Sequence, residues 1–156
     1  MQAKSKRPDP PKIAQAAVRE AVIEAGKAMA GLLLFAGGKS FGGRMTSQAQ
    51  AAGPLPGVRG LIFLGFPLHA AGKPSDERAK HLFEVKVPML FLQGSRDALA
   101  DLSLLEPVVR KLGSRATLEV LEDADHSFHV PVRTGRKDAE VMADLLDRMA
   151  RWIAAN

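Results

Sequence analysis

The sequence contains no cysteine, no tyrosine and a single tryptophan. The lack of cysteine excludes a disulfide framework, a thiol nucleophile and a thiolate-held metal, and it fits a cytoplasmic setting. With no tyrosine and one tryptophan, stacking platforms for nucleic-acid bases are scarce. Long apolar runs are missing too. Leu32–Ala36 and Leu61–Leu64 are far too short to span a bilayer. The stretch from Met1 to Lys12 is polar and proline-rich, without the apolar centre of a secretory signal. A soluble protein with no membrane contact is the expectation. The net charge is +5, but Lys4, Lys6, Arg7 and Lys12 against Asp9 place +3 of it in residues 1–12. No Lys/Arg run with interleaved aromatics occurs, so no nucleic-acid partner is expected.

What is present suits one domain with a sizeable core. The chain has 156 residues, 46% of them apolar. Residues 1–11, ending in Pro8-Asp9-Pro10-Pro11, read as a flexible arm, and residues 12–156 as the domain. Residues 12–30 carry helical spacing, with Ile13, Ala17, Val18, Ala21, Val22, Ala25 and Met29 on one face. Short apolar runs at Leu32–Ala36, Gly60–Gly65, Val87–Leu92 and Ala116–Leu121 read as buried strands. Helical segments separate them at 41–52, from Ser75 to about Phe83, and at 101–112. An amphipathic helix at 137–154 closes the chain, with Val141, Leu145, Leu146, Met149, Trp152 and Ile153 on its apolar face. Alternating strands and helices predict an α/β fold: a mostly parallel sheet of about four strands flanked by helices. Sites in such sheets lie beyond the C-terminal strand ends.

Three motifs fall at those ends. Gly38-Lys39-Ser40-Phe41-Gly42 matches G-x-S-x-G, between a buried strand and a helix. In that context a tight turn exposes the Ser40 hydroxyl at a helix N-terminus, where backbone N–H groups favour developing negative charge. The N–H of Phe41 would be one oxyanion donor. The same residues imitate the end of a phosphate loop, but that pattern requires glycine at position 33, which is leucine. A serine nucleophile needs a base, and the base an orienting acid. Asp97 follows the third strand in Gln93-Gly94-Ser95-Arg96-Asp97, and His126 follows the fourth in Asp125-His126-Ser127. His129 competes with His126 and reads as a packed residue. Asp101 competes with Asp97 and reads as a helix cap. His69 in Gly65-Phe66-Pro67-Leu68-His69 reads as a pocket or loop residue. Asp123, Asp125, His126 and His129 could ligate a metal in principle, but a catalytic His126 explains more, so no metal or cofactor is expected.

Together, Gly37–Arg44, Gly65–His69, Gln93–Asp97 and Asp125–Phe128 resemble the small cap-less α/β-hydrolases related to dienelactone hydrolase. Lys6–Pro11 is similar to the segment before their helix B. The resemblance implies a truncated α/β-hydrolase fold and hydrolysis of small or short-chain carboxylic esters by Ser40, His126 and Asp97. Phe66, Leu68, His69 and Leu99 would line the substrate pocket. The resemblance begins only at helix B. The family's earlier strands, and the loop that gives a second oxyanion N–H, have no counterpart in the sequence. Losing one such donor costs about 2.7–4 kcal/mol of transition-state stabilisation. A weak or inactive hydrolase-like scaffold is therefore the alternative. Leu32–Ala36 would become an edge strand, apolar on both faces, and a homo-oligomer through that edge is expected.

Overall fold

The computed structural model describes residues 7–156. Most of the arm, residues 1–6, lies outside them. Residues 7–10 are irregular and exposed, and α1 begins at Pro11, a residue suited to a first helical turn because its missing N–H would be unpaired there anyway.

The elements follow the expected alternation. They are α1 (Pro11–Ala28), β1 (Leu34–Lys39), α2 (Phe41–Ala52), β2 (Val58–Leu64), β3 (Met89–Gly94), α3 (Leu102–Leu112), β4 (Ala116–Leu121) and α4 (Asp138–Ala155). The segment expected to form a helix from Ser75 is a 3₁₀ stretch, Glu77–Glu84. The four strands form one parallel sheet in the order β1-β2-β3-β4.

Strand side chains alternate between two cores. Leu61, Phe63, Met89 and Phe91 face α1, α2 and α3, meeting Val22, Ala49, Leu105 and Val108. Ile62, Leu90 and Leu92 face α4, meeting Val141, Leu145 and Trp152. Full burial of β3 on both faces explains its apolar run Met89–Leu92.

Two expectations shift. The first strand begins two residues later than the apolar run and extends through Gly37-Gly38-Lys39 to the serine. Leu32 and Leu33 are left 71% and 64% exposed. The cause is pairing: Ala36–Lys39 lie opposite Leu61–Leu64, and a side chain at Gly37 would collide with the Ile62 carbonyl. The α1 stripe is also only partly covered. Val22 is buried, whereas Ile13 and Met29 stand in solvent beyond the reach of the sheet.

Candidate active site

Ser40 sits between the end of β1 and the start of α2. Its N–H extends the sheet ladder to the Leu64 carbonyl at 3.0 Å, and its own carbonyl accepts the Arg44 N–H at 3.1 Å. One residue therefore ends a strand and caps a helix, which forces φ to 50° and ψ to −122°. A non-glycine residue there is strained, by roughly 1–3 kcal/mol. The second glycine of G-x-S-x-G does not make the tight approach, since a Cβ on Gly42 would meet nothing within 4 Å. Gly43 does. A Cβ there would lie 2.5 Å from the Gly38 carbonyl oxygen. The contact that lets helix cross strand is thus Gly38 with Gly43.

The turn aims Ser40 Oγ at His126 Nε2, 2.8 Å away. His126 Nδ1 lies 2.7 Å from Asp97 Oδ2. An ionised carboxylate only accepts, so Nδ1 carries the proton and Nε2 is left to accept from the serine hydroxyl. The Asp97 side chain is 0% exposed and that of His126 20%. The acid is enclosed and the imidazole reaches solvent. Phe41, the first residue of α2, has its N–H at the orphan end of the helix ladder.

Asp97 is held on three sides. Besides His126, it accepts from Gln93 Nε2 at 2.7 Å through Oδ2 and from the Leu99 N–H at 2.8 Å through Oδ1. Gln93, fully buried, also accepts the Phe66 N–H at 3.0 Å. The His126 loop is fixed by Asp125, whose Oδ1 accepts the N–H groups of Ser127 and His129 at 2.8 and 3.0 Å. Ser95 ties this loop to the one after β3, because Ser95 Oγ accepts the Asp123 N–H at 2.8 Å.

The residues expected to line a substrate pocket divide differently. Phe66 and Leu68 are 0% exposed and belong to the core. Phe66 packs edge-on against Phe63 and Phe91. Neither presents a surface to a ligand, which corrects that expectation: the loop after β2 turns inward to close the core over Phe91. His69 is buried and bridges backbone. Its Nε2 accepts the Asp101 N–H at 3.0 Å while Nδ1 faces the Ala70 carbonyl at 2.9 Å, so Nδ1 carries the proton. With Asp97, Ala100 and Asp101, His69 lines an open cavity of about 440 Å³. Leu99 is half-buried, and its carbonyl receives the His69 N–H.

The competing residues have other work. Asp101 caps α3 by accepting the Ser103 N–H at 2.9 Å. His129 is exposed rather than packed, paired with Asp138 at 2.6 Å. That hydrogen bond, with the nearby negative charge, raises the His129 pKa. Asp123 pairs with Arg133. Among the described residues the acids and histidines do not gather into a metal-holding group. No described helix is long and apolar enough to cross a membrane.

The sequence assigns no role to Gln93 and weighs Asp125 only as a metal ligand. Both lie inside the motifs, but only the folded loops show what their side chains hold.

Strand–turn–helix geometry around Ser40, with acid and histidine on successive later loops, defines an α/β-hydrolase fold. The chain belongs to the alpha/beta hydrolase domain family, whose model matches residues 1–154. Solved structures agree in fold. An alpha-beta serine hydrolase homologue from Coxiella burnetii superposes with a TM-score of 0.69 at 20% identity, covering 94% of this chain and 64% of that one. A serine hydrolase without a lid from Xanthomonas campestris gives 0.67 at 23%, covering 97% and 62%. A putative dienelactone hydrolase from Klebsiella pneumoniae gives 0.66 at 20%, covering 94% and 62%. This chain spans a little under two thirds of the length of each of these three structures.

Proposed function

We propose that this chain is a serine hydrolase of carboxylic esters with small or short acyl groups. The observation that carries the reading is the relay Ser40 Oγ–His126 Nε2–Asp97, at 2.8 and 2.7 Å. Ser40 Oγ attacks the ester carbonyl carbon while its proton passes to His126 Nε2. The tetrahedral oxyanion accepts from the Phe41 N–H. Collapse breaks the bond to the alkoxy oxygen, which leaves with the proton from His126. Water then attacks the acyl-enzyme, giving its proton to His126, and Ser40 leaves as the free hydroxyl. Asp97 holds the imidazole in the tautomer both halves need. The peptide between Met89 and His126 holds no lid-sized insertion, which supports small, accessible substrates.

Hydrolysis of p-nitrophenyl acetate and butyrate by the native chain and by Ser40→Ala tests this. Activity lost in the variant supports the nucleophile, and equal slow rates in both reject it. A second reading is a weak or inactive scaffold. It draws on the position of β1 at the sheet edge: within the described residues no strand beyond β1 carries a loop opposite Phe41. Labelling of Ser40 by a fluorophosphonate separates the two, since a scaffold stays unlabelled.

The same reading includes a single domain over residues 12–156, a cytoplasmic setting and association of two copies through the β1 edge. Exposed Leu32 and Leu33 beside a strand paired on one side support that association. Light scattering at micromolar concentration checks it, and a monodisperse monomer rejects it.

A further inference from the structure

Ser40 lies at an open edge of the sheet. β1 pairs with β2 on one side, and no described strand lies on the other. Backbone groups along a strand alternate in direction. The Ser40 N–H turns inward to the Leu64 carbonyl, so Gly38 and Ala36 also face β2. Phe35, Gly37 and Lys39 therefore aim their N–H and C=O groups out of the sheet, and Gly37 and Lys39 are exposed. Leu33 continues the outward series. Its N–H has no backbone hydrogen-bond partner among the described residues.

Apolar surface borders this edge on both faces. On one face an open trough of about 270 Å³ runs between Ala21, Val22 and Ala25 of α1 and Leu34, Phe35 and Ala36 of β1. On the other, Arg148 reaches Glu119 of β4 from one side of α4, which leaves exposed Met142 and Leu146 on the side toward β1. Met29, Leu32 and Leu33 stand exposed where β1 begins. An edge with apolar layers on both sides resembles a core cut through, the character of an obligate interface.

A second copy fits this edge by symmetry. Antiparallel pairing about a twofold axis at Gly37 sets Gly37 against Gly37 and Phe35 against Lys39, and uses every outward residue of β1. An axis at Lys39 would set like charges directly opposite. An axis at Phe35 would pair Lys39 with Gly31, which a turn holds at φ 86°. With the axis at Gly37, the next pair is Leu33 with Phe41. Phe41 has already turned into α2, so the partner's Leu33 N–H meets no carbonyl. It points instead at the space bordered by the Phe41 N–H.

We infer that a second copy of this chain pairs antiparallel along β1, and that each copy lends its Leu33 N–H to the oxyanion formed at the other's Ser40. The oxyanion then accepts from Phe41 of one copy and Leu33 of the other. The donor's role rests on the serine-hydrolase reading, whereas the interface does not.

Coexpression tests the donor. Leu33→Pro removes the N–H and should cut ester turnover about 100-fold or more. Ser40→Ala removes the nucleophile. Coexpressed, the two variants should recover about a quarter of the native rate, because half of the randomly formed dimers hold one complete site of two. The register is tested apart from activity. The chain has no cysteine, so Phe35→Cys combined with Lys39→Cys should form a disulfide-linked dimer, the paired Cα atoms lying about 5.5 Å apart. Neither substitution alone should cross-link. Native activity per chain should also fall as dilution separates the dimer, which decides the matter if Leu33→Pro fails to fold. A mixture no more active than its parts, a monomer as active as the dimer, or no covalent dimer from the double variant overturns the shared site. A native chain that hydrolyses neither ester and resists fluorophosphonate, while its double variant still cross-links, keeps the interface and removes the hydrolase reading.

Discussion

Gln93 Nε2 donates to the same oxygen of Asp97, Oδ2, that faces His126 Nδ1, each at 2.7 Å. The acid is therefore positioned by a strand residue four places earlier, and that residue is anchored by the Phe66 N–H. Gln93→Leu removes both bonds within a fully buried site. It should lower stability by about 1–3 kcal/mol, because the Phe66 N–H and Asp97 lose a partner without regaining water. Esterase kcat should fall while KM for a small ester stays close to native, since Gln93 touches no substrate. Urea unfolding together with steady-state kinetics checks this, and a loss confined to KM would contradict the positioning role.

Gly94 ends β3 against the His126 loop. A Cβ there would collide with the Ala124 carbonyl and lie 2.6 Å from that of Asp125. Gly94→Ala must push the loop away from the sheet, an overpacking cost of about 1–3 kcal/mol. Fluorophosphonate labelling of Ser40 should slow by about tenfold or more, because small misplacements of a catalytic group are costly. A variant labelled at the native rate would show that the loop yields without moving His126.

Burial, with Arg44 as the second cause, pushes the His81 pKa from 6.5 down to about 4. The unfolded chain takes up this proton near 6.5 and the folded chain resists it until near 4. The stabilising effect of keeping His81 neutral is therefore complete above pH 6.5 and lost as pH falls from 6.5 toward 4. His81→Gln should flatten the stability curve in that window and leave its slope above pH 7 unchanged. Urea midpoints from pH 4 to 8 decide it: parallel curves for native and variant would exclude His81 as a source of acid sensitivity.

Arg19 reaches from α1 to the end of α2. Its Nη2 donates to the Ala49 and Gly53 carbonyls at 2.8 and 2.7 Å, and its Nη1 to Pro54 at 3.3 Å. The Ala49 carbonyl already accepts the Gly53 N–H at 3.2 Å, so Arg19 is its second partner, while it also serves the Gly53 and Pro54 carbonyls just past the helix end, and a cation there meets the negative end of the helix dipole. Arg19→Met should cost about 1–2 kcal/mol, with Arg19→Lys recovering a minor part because a point charge cannot serve three carbonyls. Thermal melts of the three proteins compare them, and equal midpoints for Met and Arg would remove the clamp.

Much of the fold was legible because period and punctuation are local. Four apolar runs between helical segments give the parallel sheet, and Ala116–Leu121 coincides with β4 residue for residue. The first strand was misplaced because Leu32 and Leu33 are as apolar as Leu34, whereas register against Ile62 and Phe63 decides which residues pair. Ser40, Asp97 and His126 could be named from motif and order. Phe66 and Leu68 looked the same whether they lined a pocket or filled the core, since apolar character does not say which way a loop turns. The sequence by itself determined the α/β alternation and the residue types that meet at the strand ends, because backbone periodicity and side-chain chemistry belong to each residue. Only the tertiary structure decided that Gly43 rather than Gly42 makes the close crossing, that Gln93 holds Asp97, and that His126 comes within reach of both Asp97 and Ser40. Each of those is a distance between residues remote in the chain or on facing elements, and distances of that kind exist only once the layers have packed.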